Sequence, residues 1–122
     1  MSDDARFQPV RTSWLLGIVA LALATYANAT ANGFALDDGF LIEANPRIQS
    51  LGDVPALFAT DLFGGAYPSA RYYRPLVPVS FALEYALVGA TPFLYHLTNV
   101  LLHAGVCVLI YVLALRPAAC SP

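Results

Sequence analysis

The sequence predicts an all-α membrane protein in which two transmembrane helices flank a loop with shorter interfacial helices. Three observations predict it. The chain is 58% hydrophobic and only 11% charged. Its mean hydropathy is positive, and its apolar residues fall in long blocks, the pattern of the membrane class. Gly, Pro and Asp punctuation gathers between the first and last of these blocks.

The 122 residues suit one small domain. A net charge of −2 is too small to argue for any partner. There is no lysine, and the six arginines are scattered. Nucleic acid is excluded, because its readers carry a basic footprint. Cys107 lies in an apolar run and Cys120 near the end, a spacing that fits neither a disulfide framework nor a metal site.

Residues 1–12 form a polar head with Asp3, Asp4, Arg6 and Arg11. Residues 13–31, "SWLLGIVALALATYANATA", form the first span. A span needs about 20 apolar residues, and this run just reaches that. Its short apolar core before "ANATA" is also the outline of a cleaved signal peptide. Asp3 and Asp4 cancel the basic head, so a signal anchor is the preferred reading. Asn28-Ala29-Thr30 matches a glycosylation sequon but lies at the membrane edge.

Residues 32–92 form the loop. Within it, "SLGDVPALFATDLFGG" (50–65) predicts a short amphipathic helix. Asp53 is its expected N-cap and Pro55 falls in its first turn. Leu57, Phe58 and Leu62 share one side, and Gly64-Gly65 ends it. "LVPVSFALEYALVGAT" (76–91) predicts a second helix with Glu84 near its middle. A charge at the bilayer centre costs about 3 kcal/mol on insertion scales. An interfacial or protein-covered helix is therefore expected there, with Ser80 and Glu84 on one face.

Residues 93–115, "FLYHLTNVLLHAGVCVLIYVLAL", are long enough to span, with Tyr95 and Tyr111 near opposite ends as aromatic belts require. Residues 116–122 form a tail that reads as truncated. Arg6, Arg11 and Arg116 place both termini in the cytoplasm and the loop on the exoplasmic side. Arg47, Arg71 and Arg74 in the loop blur that bias.

Three features offer chemistry. Asp37 and Asp38 are adjacent just beyond the first span. Neighbours on a helix point about 100° apart, so one carboxylate acts while the other tunes it or holds a cation. Near a dry membrane edge such a carboxylate serves as a general base. The competing reading is a solvated Asp-Asp-Gly turn. In "RYYRPL" (71–76), Arg74 precedes a proline that biases it to extended backbone. An Arg so presented suits a phosphate, and the competing reading is interfacial anchoring. His96, Asn99 and His103 recur at helical spacing and share one face. They read as helix-packing or site-lining groups that face protein. Too few ligands are visible to argue a metal.

The order of these features matters more than any one of them. A first span is followed by "GFALDDGFLIEANPRIQSL", "DLFGG" and "YYRPLVPVSFALEYALVGATPFLYHLTNVLLH". This resembles the N-terminal part of the TPR-containing protein O-mannosyltransferases, membrane glycosyltransferases of the GT-C superfamily. The resemblance covers residues 14 to 115. It implies a multi-span fold, a lipid-phosphate-linked sugar as donor, and an acidic motif in the first exoplasmic loop. It also implies loop helices along the membrane surface. Asp37 is then the expected catalytic base, Asp38 its partner, and Arg74 the donor-phosphate ligand. Mannose and a protein Ser/Thr acceptor are implied in the same way, and metal dependence stays open. The chain is shorter than that family, so a fragment, inactive alone and lacking its C-terminal helices, is expected. The alternatives are a small two-span scaffold protein and a precursor cleaved near Ala29 or Ala31.

Overall fold

A computed structural model describes residues 9–63 and 72–116. Asp3, Asp4, Arg6, Gly64-Gly65, Arg71, Cys120 and residues 117–122 of the tail, all invoked above, lie outside them. Among the described residues every regular element is helical. The chain divides into two units: residues 1–29 with 97–122, and residues 30–96.

The first unit rests on two apolar helices. Helix α1, Thr12–Thr25, begins after Arg11 in extended backbone and contains no proline or charge. A 3-10 turn carries the chain on from Ala27 to Ala31, so Thr12–Ala31 is 20 residues long and apolar enough to cross a membrane. Helix α4, Pro92–Ala114, is 23 residues and meets the same requirement. Pro92 sits at its first position, where a missing N–H costs nothing. Buried positions here are small or β-branched: Ala22, Val100 and Ala104. Trp14, Leu16, Leu21, Leu101, Leu102 and Ile110 are exposed. A water-soluble core helix would bury such residues. These helices belong to a membrane protein.

The second unit has a conventional core. Ile42, Ile48, Leu57, Ala82 and Tyr95 are buried together, with Phe34, Val79 and Phe81 packed against them. Burying a side chain the size of Ile contributes roughly 1.5–3 kcal/mol. The core is reached by tight turns. A single π turn spans Gly39–Glu43. A 3-10 turn at Pro46–Ile48 is capped by Asn45, whose side chain accepts from the Arg47 N–H. A second, Leu51–Asp53, is capped by Ser50, which accepts from the Gly52 N–H.

The amphipathic helix expected over 50–65 is therefore reduced to one turn, α2, Val54–Leu57. Asp53 makes no capping bond. Its backbone is already helical, whereas a capping residue needs extended backbone. Leu57 and Leu62 are buried as expected, but Phe58 is exposed.

Helix α3, Leu76–Val88, buries Pro78, Ala82 and Glu84. Glu84 is only 6% exposed, so protein covers this face of the helix. Leu76, Leu83 and Leu87 stay exposed on α3. The helix ends at Gly89, whose φ of 63° is a left-handed value that glycine adopts without steric cost. Two contacts close the corner into α4: the Gly89 N–H donates to the Tyr85 carbonyl, and the Tyr95 hydroxyl donates to the Gly89 carbonyl at 3.0 Å.

Candidate functional site

The acidic pair sits on a turn whose geometry is set by its own residues. Leu36 is left-handed, with φ of 52°, and 96% exposed. Left-handed backbone costs a non-glycine residue roughly 1–2 kcal/mol, so something nearby must hold it. Asp38 does: its Oδ2 accepts from the Ala35 N–H at 2.9 Å. The Asp38 N–H also donates to the Ala35 carbonyl at 3.1 Å. The Asp37 carbonyl accepts from the N–H groups of Phe40 and Leu41, which starts the π turn.

This division of labour separates the two carboxylates. Asp38 is half-buried and engaged in the turn, and Asp37 is exposed. The Asp37 side chain makes no hydrogen bond among the described residues. It is presented outward, backed by a turn whose Ile42 is anchored in the core. The solvated-turn reading is right about the conformation. The same turn leaves one carboxylate available to a partner.

His96 reaches this segment from the start of α4. Its Nε2 lies 3.3 Å from the Gly33 carbonyl, and its ring lies 6.4 Å from that of Phe34. Phe34 also meets Tyr95 edge-on at 5.4 Å. The residues just before the acidic turn are thus held against the first turn of α4.

Arg74 is exposed, and its guanidinium lies 5.6 Å from the centre of the Tyr72 ring. Among the described residues it contacts neither Asp37 nor Asp38. The polar stripe divides. His96 belongs to the unit of residues 30–96, and Asn99 and His103 to the other. His103 meets Tyr26 edge-on at 4.9 Å and lies 3.7 Å from the Cys107 sulfur. Asn99 is exposed. Among the described residues no group of three or more His, Cys, Asp or Glu gathers to hold a metal ion.

Sequence reasoning counted Arg47 only as a loop charge. Its Nη1 is buried without a hydrogen-bond partner among the described residues. The "NPR" turn, capped by Asn45, was the available signal.

No family model matches the chain, and no solved structure matches it. Curated relatives do match. Protein O-mannosyl-transferase TMTC2 of Mus musculus is 39% identical over 90 residues, covering 71% of this chain and 11% of that protein. The Homo sapiens protein of the same name gives the same values. Protein O-mannosyl-transferase Tmtc1 of Drosophila melanogaster is 36% identical over 106 residues, covering 82% of this chain and 12% of that protein. The chain thus spans about a tenth of the length of the relatives it matches.

Proposed function

We propose that this chain, which belongs to the protein O-mannosyl-transferase family, is the acidic-motif segment of a GT-C membrane glycosyltransferase. The observation that carries the reading is the turn at Asp37 and Asp38. One carboxylate braces the backbone, and the other is exposed and makes no hydrogen bond among the described residues.

Asp37 is the general base. It takes the proton of an acceptor hydroxyl, whose oxygen then attacks the anomeric carbon of the sugar. The bond from that carbon to the donor's phosphate oxygen breaks, and the phosphate leaves on its lipid with the electron pair. A lipid phosphate is a good leaving group, so the protein's task is to place it and offset its charge. Arg74 supplies the positive charge, by the two parallel hydrogen bonds a guanidinium offers. Asp38 and His96 hold the turn in position. Mannose as the sugar and a protein hydroxyl as the acceptor are the reading that the relatives' names support, with Ser or Thr as the proposed acceptor residues.

The loop lies on the exoplasmic side, and its unit rests on the membrane surface through exposed apolar groups such as Leu36, Phe40, Leu76 and Leu87. Further spans of the same enzyme complete the fold and cover Asn99 and His103. The 122 residues alone are inactive.

The test is made in the longer protein that the source locus is expected to encode past codon 122. Asp37→Asn lowers transfer from a lipid-phosphate-linked mannose to a Ser/Thr peptide by at least about 100-fold, with membrane insertion unchanged. Full activity in that variant would remove the catalytic assignment.

A further inference from the structure

We infer that the paired ends of α1 and α4 hold the phosphate-bearing head group of an anionic lipid, in a cavity lined by Pro9, Arg11, Trp14, Tyr111 and Leu115. This cavity measures about 270 Å³. That is just below the roughly 300–1,000 Å³ of typical small-molecule sites, room for a head group without its chains. The site does not depend on the glycosyltransferase reading.

Position gives the first reason. Helix α1 begins at Thr12 and α4 ends at Ala114, and the segments Thr12–Ala31 and Pro92–Ala114 are each long enough to span. The Arg11 backbone N–H donates to the Tyr111 hydroxyl at 3.3 Å, which brings these two ends together. The cavity therefore lies where hydrocarbon gives way to head groups. Trp14 and Tyr111 are the residue types that favour that depth.

Charge gives the second. Arg11 is exposed and makes no ion pair among the described residues. The first turn of α1 holds no acidic residue, and among the described residues no side chain caps it. The Tyr111 hydroxyl accepts from Arg11 and keeps its own hydrogen to donate. Arg11 and a hydroxyl donor, lining one cavity with Pro9, Trp14 and Leu115, match a phosphate diester attached to acyl chains. A zwitterionic lipid brings its own cation beside the phosphate and gains less from Arg11. Free phosphate gains nothing from Trp14 or Leu115, which lead onto the lipid-facing side of the helices.

Trp14 is the only tryptophan in the chain, so the site carries its own reporter. The 122-residue chain is reconstituted in phosphatidylcholine vesicles. Trp14 quenching is titrated with brominated phosphatidylglycerol and, separately, with brominated phosphatidylcholine. Half-quenching is expected at a phosphatidylglycerol fraction about three- to fivefold lower, the effect of one arginine near an anionic surface. Arg11→Gln brings the ratio to about one. Its phosphatidylcholine curve shows whether the variant still inserts. Tyr111→Phe, which keeps the ring and removes the donor, lowers the ratio in part and serves if Arg11→Gln does not insert. Equal quenching of the unaltered chain by both lipids overturns the site and leaves Arg11, Trp14 and Tyr111 as unselective anchors. A ratio unmoved by both substitutions overturns it as well. Displacement by soluble glycerol phosphate would show that the cavity takes free anions and overturn the lipid assignment.

Discussion

The unit of residues 30–96 and the helix pair of the other unit answer different solvents. The first buries Ile42, Ile48, Leu57 and Tyr95 behind short turns and places a braced acidic turn on its surface. Among its described residues the second buries only Ala22, Val100 and Ala104, and turns its large apolar residues outward. One makes its own dry interior; the other relies on lipid to supply it. A chain that is 58% hydrophobic can therefore present charged chemistry, because the apolar residues are unevenly shared between burial and exposure.

That contrast breaks most visibly at a core residue. Ile42→Ala should cost the 30–96 unit about 2–5 kcal/mol, read as faster hydrogen exchange across residues 39–57. A mild effect would mean that this core does not hold the turns. The lipid-facing counterpart is Leu21, 71% exposed. Leu21→Arg should weaken membrane insertion by about 2.5–3.5 kcal/mol, while Leu36→Arg should leave insertion of the spans unchanged. Equal effects on insertion efficiency would erase the distinction between the two regions. Smaller still is Asp38→Ala, which removes the acceptor for the Ala35 N–H. It should loosen the turn by about 1 kcal/mol, seen as faster exchange at residues 35–41. The smallest is Leu36→Gly. Relief of left-handed strain and the added freedom of the unfolded chain nearly cancel, so stability in detergent should stay within about 1 kcal/mol. A larger loss would show that the Leu36 side chain itself holds the turn.

The spans were legible because length and apolar content alone identify them. α3 was legible for a related reason: Glu84 in an apolar run demanded cover, and one face of the helix is covered. The acidic turn was half legible. Asp-Asp-Gly signals a turn, but the roles of the two carboxylates depend on a bond from Asp38 back to Ala35 that no periodicity encodes. The stretch expected as a helix over residues 50–65 misled for a physical reason. Its apolar spacing suits a helix, but Ser50 satisfies the Gly52 N–H locally, and a 3-10 turn forms ahead of a single helical turn. His96 and His103 share a helix face by spacing, yet one meets Gly33 and the other Tyr26 and Cys107. Spacing gives a face; it does not give the neighbour.

The corner at Gly89 has an evolutionary consequence. The Tyr95 hydroxyl is tied to the Gly89 carbonyl, while Ala82 and Tyr95 share one core. Adding or removing one residue between Val88 and Pro92 would change the reach of this non-helical link and displace α3 relative to that tie. Ala82 and Glu84 would leave their buried positions. Homologous chains should then vary freely in side chain at exposed Ala90, yet show no gaps in the link, so the number of its residues is inherited more strictly than the identity of that one.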